Sequence, residues 1–180
     1  MKKSNLLSSI ALACLMLLAT HVTAQEFSDL DKSPMDAAAF PSSYKEANKL
    51  IKIIYSRPQL KGRALSTLVP HNKLWRTGAN EAPELTLYTD MTLGNTPIKA
   101  GTYTFYVIPG EKEWTAIINK DINLSGLNGY NEANDIARFT VPVSSGEPLE
   151  AFSIAFEETT EGLAMHLGWG TVRVAVPFSK

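Results

Sequence analysis

The stretch Thr102-Tyr103-Thr104-Phe105-Tyr106-Val107 decides the fold class. Apolar side chains at positions 103, 105 and 107 alternate with the threonines at positions 102 and 104. Because successive side chains of a β-strand point to opposite faces, this period of two predicts a strand with one buried face. The residues are also β-branched or aromatic, the types that pack well on a pleated sheet.

The same alternation recurs on both sides of this stretch, in runs near residues 51–55, 85–87, 91–99, 114–118, 136–143, 152–156, 163–167 and 172–176. Turn signals separate the runs, and we expect the chain to reverse at Gly94-Asn95, Pro109-Gly110, Ser145-Gly146 and Gly168-Trp169-Gly170. Short strands between close turns predict an all-β fold, a single antiparallel β-sandwich of about eight to ten strands over residues 49–180. An irregular, arginine-rich loop segment is expected from Arg57 to Glu81.

Residues 1–24 have the layout of a secretory signal peptide. Lys2 and Lys3 precede an apolar run from Leu6 to Leu18, and Val22-Thr23-Ala24 provides the small residues of a cleavage site. A membrane anchor would need about 20 apolar residues, more than this run has. Lipoprotein processing at Cys14 is a further alternative, although it would leave a short apolar region. We therefore expect a periplasmic or secreted protein, with residues 25–48 as a lead-in to the domain.

The predicted mature chain excludes several classes of function. Cys14 is the single cysteine, so cleavage after Ala24 leaves no disulfide, no thiolate nucleophile and no zinc–cysteine site. The full chain has 17 basic and 18 acidic residues, and cleavage removes two basic ones, Lys2 and Lys3. The formal charge of the mature chain is therefore 17 − 2 − 18 = −3. This balance gives no electrostatic reason to expect nucleic acid as a partner. No second long apolar run follows, so no transmembrane segment is expected in the mature chain.

Two segments concentrate polar residues where the strand pattern lapses. Candidate ligand-binding residues are Arg57, Lys61, Arg63, Trp75, Arg76 and Asn80. Arginine provides a planar fork that matches carboxylate or phosphate oxygens, and the interspersed glycines let a backbone approach a ligand closely. The leading hypothesis is a binding module for a small anionic molecule or a glycan, with Trp75 as an apolar wall. Gly168-Trp169-Gly170 does not continue into a dinucleotide-binding loop, and no cofactor is expected.

Three other interpretations of these segments remain open. The arginines can instead pair with carboxylates and fix irregular loops to the sheet, as surface ion pairs commonly do. Glu81 can act as the general base of a hydrolase or lyase, because neighbouring arginines would lower the pKa of its carboxyl. The third interpretation is an envelope structural or assembly protein, in which the two segments only shape the fold.

Several strings of this sequence resemble those of one protein family. They are Arg57-Pro58, Lys61-Gly62-Arg63, Leu68-Val69-Pro70, Trp75-Arg76-Thr77-Gly78-Ala79-Asn80-Glu81, Ala100-Gly101-Thr102-Tyr103, Ile108-Pro109 and Glu113-Trp114-Thr115. The chain resembles, from about Ser33 to Pro177, the exported bacterial family designated domain of unknown function 2911. The resemblance implies an exported, β-rich architecture and no particular activity. The family often has an aromatic residue in place of His71 and a tryptophan in place of Leu127, so His71 is not expected to be an inherited catalytic residue.

A calcium-loop pattern runs from Asp121 to Glu132. Oxygen-bearing side chains at Asp121, Asn123 and Ser125 are followed by Gly126 and by the distal carboxylate of Glu132. The flanking segments are predicted strands rather than the helices of an EF-hand, and Asn128 occupies the usual apolar anchor position. We therefore expect a polar turn between two strands and no bound metal.

Overall fold

The computed structural model of the chain describes residues 25–180, so the predicted signal peptide at residues 1–24 lies outside the described residues. Residues 25–30 have no regular secondary structure, and Asp31–Lys180 form one compact unit. None of the helices in residues 25–180 has the length and the apolar character needed to cross a membrane.

The unit is built from nine strands. They are β1 (Met35–Phe40), β2 (Ile51–Ser56), β3 (Glu84–Leu87), β4 (Met91–Leu93), β5 (Thr96–Ile98), β6 (Gly101–Pro109), β7 (Glu113–Asn119), β8 (Asp135–Thr159) and β9 (Gly162–Ser179). A four-residue helix, α1 (Leu65–Leu68), lies between β2 and β3, and a 3-10 turn (Glu132–Asn134) precedes β8. The predicted hairpin at Gly94-Asn95 connects β4 to β5.

All nine strands form one antiparallel sheet in the order β1-β2-β3-β6-β7-β8-β9-β4-β5. β8 joins the two parts of this sheet. Its first residues, from Asp135 to Pro142, pair with β7, and its later residues, from Val143 to Thr159, pair with β9. The long strand is therefore the element on which the arrangement of both parts depends.

Two of the predicted reversals were wrong. Ser145-Gly146 lies within β8 and Gly168-Trp169-Gly170 lies within β9, so neither segment turns the chain back. Ser145 pairs with Val172 and Leu149 pairs with Gly170, so β8 advances four residues where β9 advances two. The extra residues of β8 form an irregularity of the bulge type, and a glycine in a strand often marks a bulge.

The structure confirms the all-β class, the antiparallel pairing and the predicted number of strands. Within residues 25–180 the strands form a single open sheet, and two separate stacked sheets are not shown. The segment from Arg57 to Glu81 contains α1, and isolated antiparallel bridges tie it to the sheet at Gln59–Ala151 and Trp75–Val107. The structure therefore does not show the predicted irregular, arginine-rich loop over this segment.

The predicted lead-in contains β1, which pairs with β2 along its whole length, from Met35–Ser56 to Phe40–Ile51. The sequence signal for this strand is weak because Ala37-Ala38-Ala39 has neither the alternation nor the β-branched side chains of a typical strand. Its pairing with the well-patterned β2 supplies the stability that its own residues lack.

The core joins residues from both parts of the sheet, as the alternation predicted. Ile51, Ile53 and Tyr55 of β2 are buried in one cluster with Phe152 and Ile154 of β8. The rings of Tyr55 and Phe152 meet edge to face, with centroids 5.6 Å apart. β2 and β8 are not neighbours in the sheet, so the core brings together residues of strands that are apart in the strand order.

Hydrogen bonds follow the same contact between residues 55–60 and residues 150–154, which we call the seam. They run from the Leu60 N–H to the Glu150 carbonyl (3.0 Å), from the Phe152 N–H to the Pro58 carbonyl (2.9 Å), and from the Ile154 N–H to the Tyr55 hydroxyl (2.8 Å). The seam provides hydrogen-bond partners for backbone N–H and carbonyl groups. It does so where register shifts interrupt the regular pairing of β8 with β9.

The seam predicts the effect of Tyr55→Phe. The substitution removes the acceptor of the Ile154 N–H while retaining the ring, so a buried donor is left unpaired. We expect a loss of about 1–3 kcal/mol in the free energy of unfolding, measured by urea denaturation. Tyr103→Phe is the matched control, because its hydroxyl donates to the Lys99 carbonyl in an exposed position, and a change within about 0.5 kcal/mol is expected. Equal losses in the two variants would contradict this role of the seam.

Candidate functional site

The two polar segments predicted from the sequence approach each other beside the seam. The first, residues 57–63, follows β2 and is held against β8 by the Gln59–Ala151 bridge. The second, residues 75–81, precedes β3 and is held against β6 by hydrogen bonds between Trp75 and Val107 at 2.8 and 3.2 Å. The side chains of these two segments nevertheless lie in different environments.

Arg57 is fully engaged in holding the fold. Its Nη1 forms an ion pair with the Asp36 carboxylate of β1 at 2.9 Å. Its Nε donates to the Phe152 carbonyl at 3.1 Å and its Nη2 donates to the Ser153 hydroxyl at 2.7 Å. All three nitrogens therefore have partners on β1 or β8, which is the structural role that the sequence left open for the arginines.

Lys61 and Arg63 belong to the turn that follows Gln59. Lys61 has a positive φ of 48°, its side chain is exposed, and its backbone N–H donates to the Glu150 carboxylate at 2.6 Å. Arg63 caps the same turn, because its Nε donates to the Leu60 carbonyl at 2.8 Å and its Nη2 to the Gln59 carbonyl at 2.6 Å. The Nη1 of Arg63 has no hydrogen-bond partner among the described residues.

Trp75 is a core residue as well as a candidate wall. It is buried, and its ring stacks on that of Trp169 with centroids 5.9 Å apart and planes 17° apart. Edge-to-face contacts join it to Phe152 at 5.1 Å and to Trp114 at 6.1 Å. The orientation of its indole is therefore fixed by packing.

The chain after Trp75 has an unusual backbone. Thr77 has φ 57° and is completely buried, Gly78 has φ 154° and Asn80 has φ 58°. A positive φ is uncommon outside glycine and costs a β-branched residue such as threonine the most. A Cβ on Gly78 would lie 2.9 Å from the Ser56 carbonyl oxygen, so β2 and this loop are in direct contact there.

Arg76 has no acidic partner. It forms no salt bridge among residues 25–180, and its Nε is buried without a hydrogen-bond partner. Its Cδ lies beside Gly126, where an added Cβ would approach it to 3.3 Å. The side-chain stem is therefore packed while its guanidinium lacks a counter-charge.

Arg63 and Arg76 line one cavity of about 220 Å³, which we call the arginine cleft. Ser33 is the other polar side chain of its lining, and Trp75 and Trp169 are part of its apolar wall. No carboxylate is present among its lining residues. Of the predicted ligand-binding residues, Arg63, Trp75 and Arg76 are thus brought together, whereas Arg57 and Lys61 are not part of this lining.

Asn80 faces Asp31 rather than the cleft. The Ser33 N–H and the Asn80 side chain together hold the pKa of the Asp31 carboxyl below its usual range. Asp31 accepts from that N–H at 2.6 Å. Asn80 therefore lies beside the segment before β1 that carries Ser33 to the cleft.

Glu81 lines a different cavity, of about 360 Å³, which we call the acidic cleft. Glu84 lines it as well, and Asn123 and Ser125 of the calcium-loop pattern face the same space. Met35, Ile54, Ala82 and Leu124 complete the lining. Glu81 forms no salt bridge with an arginine in the described part of the chain.

The four candidate metal ligands do not form one set. The Asp121 carboxylate accepts from Asn134 Nδ2 at 2.6 Å, and Glu132 pairs with Arg138 at 2.9 Å. Asn123 and Ser125 point instead towards the acidic cleft. Among residues 25–180, no group of three or more His, Cys, Asp or Glu side chains is placed to hold a metal ion.

A polar network around Asp135 was not predicted. The Asp135 carboxylate accepts from Asn119 Nδ2 at 2.7 Å, from the Tyr130 hydroxyl at 2.8 Å and from Arg138 Nε at 2.8 Å. Asn119 is completely buried and also donates to the Asn131 carbonyl at 2.9 Å. The network anchors the segment between β7 and β8, so its members have partners within the protein.

The comparisons with known proteins give a family. The profile described as "Protein of unknown function (DUF2911)" matches residues 34–178, which is most of the chain. The chain therefore belongs to this family, as the resemblance in sequence indicated. No curated protein and no solved structure matches it.

The Asp135 network predicts a loss of stability at high pH. Burial and the hydrogen bond to Asp135 raise the pKa of Tyr130 to about 12, and burial raises the pKa of Tyr106 to about 12. Unfolded tyrosines titrate near pH ~10, so the folded protein holds these protons more tightly. The stabilisation is complete below about pH 10 and is lost as the pH rises through about 12.

This dependence can be measured by urea denaturation at several pH values between about 9 and 12. Tyr130→Phe removes one of the two titrating groups, so the decline in the free energy of unfolding should become shallower than in the wild type. Titration of phenolate absorbance in the native protein should show the late-titrating tyrosines directly. A slope that Tyr130→Phe leaves unchanged would contradict the raised pKa of this residue.

Proposed function

We propose that this member of the DUF2911 family is a binding module that holds a small anionic or polyhydroxyl molecule in the arginine cleft. The observation that carries the proposal is the lining of the cleft: two arginines and two tryptophans, with no carboxylate among the residues that surround it. A few convergent polar groups in a concave site are typical of small-molecule sites.

The charge of Arg76 is the strongest element of this proposal. Taking a cation out of water is costly unless an anion or hydrogen-bond acceptors replace the lost solvent. Arg57 and Arg138 have acidic partners within the chain, at 2.9 Å from Asp36 and 2.6 Å from Asp135. Arg76 has no acidic partner among residues 25–180, and an anionic ligand in the arginine cleft would supply the missing counter-charge.

The backbone next to Arg76 supports the same proposal. Residues held at positive φ, as Thr77 and Asn80 are, cost of order 1–3 kcal/mol each and persist where the surrounding structure enforces them. Such strain is concentrated at ligand-binding sites. Here it lies directly after the arginine whose charge has no partner.

The proposed site of action is outside the cytoplasm, in the periplasm or the medium. This part of the proposal follows from the charged, apolar and small-residue layout of residues 1–24. The mature chain would then meet small solutes outside the cytoplasm, which suits a binding module.

The proposed architecture of the site is a sandwich made by one sheet. Straight, the 25 residues of β8 would extend roughly 80 Å, far more than a compact domain with a radius of gyration of about 15 Å. The two register shifts of β8 are the natural places for it to bend. Folded there, the sheet would stack its β8–β9 part on its β2–β3–β6 part and place the arginine cleft beside the seam.

A second candidate function is hydrolysis at the acidic cleft. The segment from Trp75 to Glu81 contains a single carboxylate, which argues against a two-carboxylate mechanism. Glu84 lies outside that segment, however, and lines the same cavity as Glu81. Paired carboxylates can divide the roles of acid and base when their environments differ. Glu81 is exposed and Glu84 is half-buried, which is such a difference.

The binding proposal predicts different outcomes for two neighbouring arginines. Arg76→Lys retains the packed stem but loses the fork, so the affinity for an anion should fall roughly tenfold or more. Its free energy of unfolding should change by no more than about 0.5 kcal/mol. Binding is measured by titration calorimetry with a panel of monocarboxylates, dicarboxylates, inorganic phosphate and monosaccharides, and stability by urea denaturation.

Arg57 is the matched control for this experiment. Arg57→Ala removes an ion pair and two hydrogen bonds, so a loss of about 1–3 kcal/mol in stability is expected, with the affinity unchanged. If Arg76→Lys unfolds the protein while no member of the panel binds the wild type, the arginines serve the fold and the binding proposal is wrong.

The hydrolase candidate predicts release of nitrophenol from nitrophenyl esters or glycosides. Glu81→Gln should lower the rate about 10²-fold or more, because general acid–base catalysis contributes about that much. Glu113→Gln, at an exposed glutamate outside both clefts, should leave the rate unchanged. Absence of turnover by the wild type, or a rate that Glu81→Gln does not alter, would eliminate this candidate.

A further inference from the structure

We infer that the acidic cleft binds an organic ammonium ion that carries a compact apolar body. The inference concerns a different cavity from the arginine cleft and does not depend on the binding proposed there. It also differs from the hydrolase candidate, because it assigns the chemical class of a bound molecule and needs no turnover. It follows from the sheet face that forms the cleft, from its apolar lining and from its two carboxylates.

The floor of the acidic cleft is the face of the first three strands that points away from the core. Ile54 of β2 pairs directly with Glu84 of β3, and paired residues of an antiparallel sheet share a face. Ile53 and Tyr55, the neighbours of Ile54 along β2, are buried in the core. Because side chains alternate along a strand, Ile54 and Glu84 therefore point outwards, into the cleft that both of them line.

This outward face is apolar at the cleft, although an outward position of an antiparallel sheet is ordinarily polar. Ile54 is half-buried, and Met35 of β1 is 60% exposed. Met35 pairs with Ser56, two residues along β2 from Ile54, so its side chain lies on the same face. Leu124 lines the cleft from the loop before β8, which is held here by a hydrogen bond from the Ala82 N–H to the Leu124 carbonyl at 3.0 Å. The accessible lining of the acidic cleft is therefore mainly apolar.

The charge of the acidic cleft is negative and has no counter-charge within the protein. Glu81 and Glu84 line the cleft, and its other polar side chains, Asn123 and Ser125, are neutral. No lysine, arginine or histidine of residues 25–180 is part of this lining. Neither glutamate forms a salt bridge within the described chain. An ammonium ion only donates hydrogen bonds, and those that it donates to a carboxylate are charge-assisted and strong.

The apolar lining and the negative charge together select one class of ligand. An anion would be repelled by the two carboxylates, and a neutral sugar would lose hydration against the apolar floor. A metal ion would need several converging ligands, and no group of three or more His, Cys, Asp or Glu side chains among residues 25–180 is placed to hold one. A volume of about 360 Å³ is within the range of small-molecule sites and accommodates a ring with a short chain.

The test uses ligands that share one phenylethyl body. Phenylethylamine has the ammonium group and the body, phenylethanol has the body without the charge, phenylpropanoate has the body with the opposite charge, and methylamine has the charge without the body. Titration calorimetry at neutral pH should show phenylethylamine binding roughly tenfold or more tightly than each of the others. The charge-assisted hydrogen bond and the buried apolar area can each contribute about that factor.

Two substitutions and two controls locate the binding. Glu84→Gln and Glu81→Gln retain the shape of the side chain and remove its charge. Glu84→Gln should weaken phenylethylamine binding roughly tenfold, and Glu81→Gln, at the more exposed position, should weaken it less. Both should leave the affinity for phenylethanol unchanged. Glu113→Gln, at an exposed glutamate outside both clefts, and Arg76→Lys, in the arginine cleft, should alter neither affinity. Urea denaturation establishes that all four variants are folded.

The outcomes that overturn the inference can be told apart. Phenylethylamine affinity that neither glutamate substitution lowers would place the binding elsewhere. Equal affinity for methylamine would show that the apolar body contributes nothing, and equal affinity for phenylethanol would show the same of the charge. Calcium that displaces the amine would identify a metal site instead. If no probe binds, the inference is wrong, while the proposed function of the arginine cleft is decided separately by the anion panel and Arg76→Lys.

Discussion

The seam between residues 55–60 and residues 150–154 is the contact on which the rest of the structure depends. It joins the end of β2 to the middle of β8, two strands that three others separate in the sheet. Two backbone hydrogen bonds of 2.9 and 3.0 Å, the hydrogen bond from the Ile154 N–H to the Tyr55 hydroxyl at 2.8 Å, and the packing of Tyr55 on Phe152 hold it. Because Trp75 packs on Phe152 and stacks on Trp169, the seam also determines where the second polar segment lies. The arginine cleft exists because these distant parts of the chain meet.

The seam also explains why three similar arginines have three different environments. Arg57 lies at the seam itself, where the Phe152 carbonyl and Asp36 occupy its nitrogens. Arg63 lies in the turn that follows Gln59, and two of its nitrogens donate to the Leu60 and Gln59 carbonyls of that turn. Arg76 reaches the cleft from the opposite segment and finds no carboxylate there. The protein therefore occupies three nitrogens of Arg57, two of Arg63 and, among residues 25–180, none of Arg76.

Most of the strands were predictable because the pattern of apolar and polar residues that indicates a strand lies within the strand itself. Period-two alternation identified β2, β6 and β7 and the halves of β8 and β9, and only the alanine-rich β1 lacked that signal. The local sequence could not distinguish a bulge from a reversal at Gly146. Both structures relax the same backbone constraint, and what decides between them is the pairing of β8 with β9 across many residues.

The site was less predictable, because it depends on contacts between residues far apart in the chain. The density of polar residues drew attention to Arg63, Trp75 and Arg76, which line one cavity in the structure. Nothing in the sequence indicated that Ser33 and Trp169 would line the same cavity, or that Asn80 would face Asp31. Similarly, Glu81 is five residues from Arg76 and was expected to share its surroundings, yet it lines the acidic cleft.

The separation of Arg76 from Glu81 has a physical cause in the four residues between them. Thr77 and Asn80 are in the left-handed region, and Gly78 at φ 154° lies against Ser56, so the chain turns sharply between the two charges. This backbone costs of order 1–3 kcal/mol for each strained residue, whereas an exposed ion pair between the two would return about 1 kcal/mol or less. Local electrostatics and local conformational preference would both favour a relaxed loop with the charges paired. The fold instead enforces a strained loop that leaves one charge in each cleft, and a departure from local preferences of this kind is expected where a site, rather than stability, determines the structure.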